Sequence, residues 1–165
     1  MKKLRYDRVI ITIIICFVFI FICIFLIMNR SQVHEYDGDI QTYVGTYQQD
    51  EKIYTFDLKV FEYQGEYYLS LNDMYNMIVI LDEKTRVYLD YDKHTMTYQM
   101  SDRTYYFDYG HDKITYDKEC IDLKKNKTHI YLSHKNIYLS VSFIEKILLN
   151  NQKSIQFENA NAIIQ

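Results

Sequence analysis

From Val9 to Met28 the chain is apolar without interruption, with Thr12 its only polar side chain. Twenty residues at a rise of about 1.5 Å cover about 30 Å, the thickness of a bilayer's hydrocarbon core. Lys2, Lys3, Arg5 and Arg8 precede it against a single acid, Asp7, and after Arg30 there is no lysine or arginine until Lys52. Basic residues beside a span stay in the cytoplasm. The expectation is therefore a cytoplasmic tail at 1–8, a signal-anchor helix across the cell membrane at 9–28, and an extracellular remainder. A cleaved signal peptide would have a shorter apolar core ending in small residues, whereas this run ends Leu26-Ile27-Met28-Asn29-Arg30.

The remainder has the size of one domain. From Ser31 onward it carries fourteen basic and twenty-one acidic residues, a net charge of −7, which excludes nucleic acid as a general electrostatic partner. Seventeen of its residues are tyrosines and none is tryptophan or proline. With Ile, Val, Thr and Phe, this is a strand-forming composition. Cys16 and Cys23 lie in the apolar run, seven apart and so on one helix face. Cys120 stands alone outside it, ruling out an intramolecular disulfide there, and is expected to be buried.

Residues 29–51 are polar, hold Gly38 and Gly45, and read as a linker, with the folded unit at 52–165. Tyr54, Phe56, Leu58 and Val60 alternate with polar residues on one strand face, Gln64-Gly65 turns the chain, and Tyr67-Tyr68-Leu69-Ser70 returns it. Leu71, Met74, Tyr75 and Ile78 follow at helical spacing, with Ser70 as a capping residue for Asp73. Thr85–Tyr91 and Thr95–Met100 read as strands paired across Asp92-Lys93-His94, and three shorter strand-like pieces follow between 104 and 123. The plan then recurs. Tyr68-Leu-Ser-Leu matches Tyr138-Leu-Ser-Val seventy residues on, Met74, Met77 and Ile78 match Ile144, Ile147 and Leu148, and Leu89-Asp-Tyr-Asp matches Ile155-Gln-Phe-Glu. The expected fold is α+β: the transmembrane helix, then a mostly antiparallel sheet with two short helices, built from two hairpin–helix–strand repeats sharing a core.

Chemistry is harder to find. His129 and His134 are five apart with His111 and Asp112 upstream, looser than the tight pairs of zinc sites, so surface histidines are expected and no metal or cofactor. Cys120 sits beside Glu119 and near Asp117, which oppose its thiolate. Ser70 and Ser140 occur at equivalent places in both copies, as structural residues do, and neither lies in a nucleophile elbow. Asp90/Asp92 and Asp108/Asp112 read as a solvated charged edge. No catalytic residue is assigned, and the four glycines do not cluster into a phosphate loop.

The second copy, Asn136-Ile-Tyr-Leu-Ser-Val-Ser-Phe-Ile-Glu-Lys-Ile-Leu followed by Ile155-Gln-Phe-Glu, resembles the copper amine oxidase N-terminal-like, or stalk, domain family. The resemblance covers about 53–164. Ser140 stands at the family's proline, Ser142 at its arginine, Asn150 at its helix-ending glycine and Phe157 where tryptophan is frequent. It implies no copper site and no oxidase reaction, since those belong to a different domain. It does imply an exported interaction or spacer module of the bacterial cell envelope, in contact with cell-wall material. Binding or scaffolding is thus expected, with cell-wall glycan stacked on Tyr67, Tyr68, Tyr105 and Tyr106, since one member of each pair faces outward from a strand. An accessory subunit docking on an envelope protein is the alternative, and a carboxylate-dependent hydrolase the weaker one.

Overall fold

The computed structural model describes residues 2–28, 30–49, 51–149, 153–158 and 160–165. It divides into two units, Met1–Ser31 and Gln32–Gln165. The first is one helix, α1 (Lys2–Met28), and its stretch Val9–Ile27 is long and apolar enough to cross a membrane. Within it Cys16 is exposed and Cys23 partly so.

The second unit is α+β and contains two sheets rather than one. Its larger sheet is organised around two tight hairpins. Strands β3 (Lys52–Tyr63) and β4 (Glu66–Ser70) are joined by Gln64-Gly65, both at positive φ (54° and 79°). That two-residue geometry matches the right-handed twist of the strands. In β3, Leu58 and Val60 are buried while Thr55, Asp57 and Lys59 face water, as their alternation requires. Strands β10 (Tyr131–Ser133) and β11 (Asn136–Ser140) repeat the arrangement across His134-Lys135, again at positive φ but without a glycine.

Each hairpin runs straight into a helix, α2 (Leu71–Leu81) after β4 and α3 (Val141–Ile147) after β11. The Ser70 hydroxyl accepts from the Asp73 amide at 3.2 Å, capping α2. Ser140 occupies the same place but turns its hydroxyl to Ser142 at 3.1 Å. Leu71, Met74, Met77 and Ile78 form the buried stripe of α2, with Tyr75 half-buried beside it. The hairpins lie side by side: β4 pairs antiparallel with β11, Leu69 opposite Leu139. The second residue of each helix reaches across to the other hairpin. The Ile137 amide donates to Asn72 Oδ1 at 3.1 Å, and the Ser142 hydroxyl donates to Glu66 Oε1 at 2.6 Å. The correspondence ends at the third limb. Leu89 lies in β5 (Arg86–Asp90) of the smaller sheet, whereas Ile155 lies in β12 (Ile155–Glu158) at an edge of the larger one.

The stretch read as a linker is part of the fold. His34–Glu35 is a short strand, β1, parallel to β10, and Gln41–Gln49 is a nine-residue strand, β2. Strand β2 pairs antiparallel with β3 along its whole length and, on its other edge, parallel with β13 (Asn161–Ile164). The larger sheet therefore runs β1-β10-β11-β4-β3-β2-β13-β12, and the domain starts at Gln32 instead of Lys52. A Cβ at Gly45 would come within 2.7 Å of Phe56 and 2.8 Å of Leu58, so those side chains fill the space a larger residue would need.

Strands β5, β6 (Thr95–Gln99), β7 (Thr104–Asp108), β8 (Lys113–Tyr116) and β9 (Glu119–Asp122) form a five-stranded antiparallel meander. Its inner residues Met96, Tyr98, Tyr105, Phe107 and Ile114 join Leu58, Val60, Leu69, Leu139 and the helix stripes in one core. Two inner tyrosines donate to helix carbonyls: Tyr98 to Leu71 O at the start of α2, and Tyr105 at 3.0 Å to Ile147 O, a carbonyl at the end of α3 that lacks an intrahelical partner. The other face of the larger sheet carries a second cluster of Phe61, Tyr68, Tyr131 and Tyr138, covered by Tyr36 and Ile40. Burial pushes the Tyr138 hydroxyl up to about 12.

Asp82, just past α2, fastens that helix to the β6–β7 turn. Its carboxylate accepts from the Ser101 amide at 2.6 Å, the Ser101 hydroxyl at 2.8 Å and the Lys84 amide at 3.0 Å. The Ser101 bonds hold its carboxyl below the ordinary value of 3.8. A carboxyl held low in the folded state stabilises above its unfolded value, and that contribution fades as pH falls through the folded one. Asp82→Asn is expected to lower the midpoint of urea unfolding at neutral pH and to flatten its dependence on pH below 3.8. Equal midpoints and equal acid slopes for the two proteins would count against this role.

Candidate functional site

The outer face of the meander is the site the geometry offers. Register places Tyr88 opposite Thr97, Thr97 opposite Tyr106, Tyr106 opposite Thr115 and Thr115 opposite Cys120, so these side chains form one row across five strands. Strand alternation sends their neighbours inward, Val87 and Tyr98 among them, and leaves the row in solvent. Tyr88 is 58% and Tyr106 52% exposed. With Thr97 between them, the two rings stand two strand spacings apart, about 10 Å. Cys120, expected to be buried, is exposed at the end of the row, because β9 is an edge strand and the cysteine falls on its outer side.

Beyond the strand ends the β5–β6 turn adds Tyr91, 44% exposed. Its hydroxyl donates to Lys135 O at 2.9 Å, which fixes the ring against the β10–β11 turn. Tyr88, Tyr91 and Tyr106 with Asp90, Asp92 and Lys93 line an open groove of about 690 Å³. Asp90 accepts from the Lys93 amide at 3.0 Å and its ammonium at 3.2 Å, and these bonds hold its carboxyl below the usual range. The groove thus combines flat aromatic surface with fixed anionic acceptors. Sugars are bound by that combination: rings take the C–H face, carboxylates take the hydroxyls.

The four tyrosines singled out from the sequence fare differently. Tyr106 is outward and Tyr105 inward, 1% exposed, in keeping with alternation. Tyr67 and Tyr68 also point to opposite faces, each into a packed region of the larger sheet. Tyr67, half-buried, packs against Phe157 at 4.6 Å, and Tyr68, buried, stacks on Phe61 at 5.0 Å. Tyr88 was passed over in the sequence, although Val87 and Leu89 flanking it carry the inward signal that marks it as outward.

The carboxylates and histidines are engaged elsewhere. Asp108 accepts from the Gly110 and His111 amides and pairs with His111 Nδ1 at 2.9 Å. His134 is an exposed residue of the β10–β11 turn. His129, expected at the surface, instead meets Asp112, whose side chain is fully buried. The Ile130 amide donates to Asp112 Oδ1 at 2.9 Å, and His129 Nδ1 lies 2.8 Å from Oδ2. His34 Nε2, from β1, lies 3.1 Å from the same oxygen without the alignment of a hydrogen bond, and the two imidazoles stack with centroids 4.0 Å apart. Burial lowers the His34 pKa, more than Asp112 beside it raises it. Neither His34 nor this convergence had been read from the sequence, because the three residues come from distant segments.

No protein-family model, curated protein or solved structure matches this chain.

Proposed function

We propose that this protein is a single-pass membrane protein, N-terminus in the cytoplasm, whose stalk-like domain lies outside the membrane and binds cell-wall glycan on the outer face of the five-stranded sheet. The observation that carries this reading is the row of Tyr88 and Tyr106, both half-exposed, on either side of the small Thr97. Large aromatic side chains placed in solvent on a rigid sheet contribute little to folding and offer preorganised stacking surface. The orientation rests on the basic residues before the apolar helix. A binding role is supported by the carboxylate of Asp90 beside the tyrosine rings, held in place by Lys93 as a fixed acceptor.

The test is co-sedimentation of the 32–165 domain with protein-free cell walls over a salt series. Saturable binding that survives salt is expected, and the double substitution Tyr88→Ala/Tyr106→Ala is expected to weaken it by about five- to 150-fold, from about 1–3 kcal/mol of combined stacking. Its thermal midpoint should stay within a degree or two of the parent, since neither ring is part of the core. Undiminished binding by the double variant would remove the site assignment. Absence of binding would remove the glycan reading and turn attention to a protein docking on the same face.

A further inference from the structure

We infer that His34, Asp112 and His129 bind a divalent transition-metal cation of the zinc class. The donor set is two imidazole nitrogens and one carboxylate oxygen, from β1, the β7–β8 turn and the segment entering β10. Three protein ligands of this kind leave a fourth position for water or an outside ligand. Their candidate ligand atoms all lie within 4.8 Å of one another. A tetrahedral ion with bonds of about 2.0–2.2 Å holds its ligand atoms roughly 3.3–3.6 Å apart. The separations of 2.8 and 3.1 Å from Asp112 Oδ2 are a few tenths of an ångström short of that, a gap small rotations of two partly exposed rings can open.

Two further observations point the same way. Asp112 is completely enclosed, and the Ile130 amide occupies Oδ1, so Oδ2 faces both imidazoles. His34 Nε2 is shielded from solvent and faces Asp112 Oδ2 at 3.1 Å, off the alignment of a hydrogen bond. A cation between this nitrogen and the carboxylate would give both a directed partner, which their present misalignment does not. Side-chain exposures of 23% for His34 and 33% for His129 leave a path for the ion. Two imidazoles select against calcium and magnesium, which take oxygen ligands. The bound ion would fasten β1, which holds to β10 through only two residue pairs, to both sheets at once.

The experiment uses the full chain in detergent micelles, stripped with chelator and titrated with zinc, cobalt or calcium. One zinc per chain is expected, with a thermal midpoint that rises with zinc concentration. Cobalt at the site should give the visible absorption of a four-coordinate ion. His34→Gln and His129→Gln should each weaken zinc binding at least tenfold, while His134→Gln, in the exposed turn, should not. The cobalt spectrum of the unaltered chain needs no variant to fold, so its absence alone would overturn the site. So would zinc affinity that is the same in both glutamine variants, or calcium bound as tightly as zinc.

Discussion

A fragment beginning at Lys52 is expected not to fold, whereas one beginning at Gln32 is expected to unfold cooperatively. The difference is β2. It is the only bridge between β3 and the β13–β12 pair among the described strands, so its removal cuts the larger sheet in two. The severed β12–β13 hairpin would be left in water, where two strands alone are marginal at best. It would take Ile155, Ala162 and Ile164 out of the core, and the missing segment would take Tyr47, Tyr36 and Ile40. Losses on that scale exceed the net stability of a small domain, about 5–15 kcal/mol. Near-UV circular dichroism, with so many tyrosines buried, reads the outcome directly. A cooperative melt of the 52–165 fragment would show that β2 is an addition to the domain and not a part of its frame.

Phe61→Ala is expected to cost about 3–5 kcal/mol, the usual range for emptying a fully packed aromatic site. Phe61 is 2% exposed and is the middle of a pile, with Tyr36 stacked at 3.7 Å on one side and Tyr68 at 5.0 Å on the other. Tyr138 at 5.1 Å and Tyr131 at 5.7 Å close the edges. These partners come from the segment after β1 and from β4, β10 and β11, so alanine loosens the cover over the second face as well as leaving a void. Urea unfolding of the 32–165 domain measures the loss. A cost below about 1 kcal/mol would mean that the cluster collapses around the hole and that the cover is not held by stacking.

Where the chain states its structure locally, the sequence reads well. Alternation in Tyr54–Val60 and in the meander, the turn at Gln64-Gly65 and the helical spacing after Ser70 all depend on residues within one or two turns of each other. Strand β2 escaped because Gln41-Thr-Tyr-Val-Gly-Thr-Tyr-Gln-Gln has almost no aliphatic content. Its place is marked by a glycine whose vacant side-chain space is filled by Phe56 and Leu58 of the next strand, so the apolar signal sits on the neighbour. The tyrosine site was half legible for a similar reason. Alternation separates Tyr105 from Tyr106, but nothing near Tyr67 reveals that Phe157 lies over it. The histidine cluster was invisible to spacing, since residues 34, 112 and 129 converge only through β1, the β7–β8 turn and the entry to β10.

The parallel pairing of β2 with β13 also sets a clock. Val44 is made long before its partner Asn161. Until then β2 has β3 on one side and an open edge on the other, since its remaining backbone groups await a strand not yet synthesised. Closing a loop that spans nearly the whole domain is slow compared with forming the local meander. All strands of the five-stranded sheet are made before β13, but the larger sheet cannot be sealed until β13 has emerged. Ribosome-bound chains stopped before Asn161 should therefore be far more sensitive to protease in β2 than released chains that include β13.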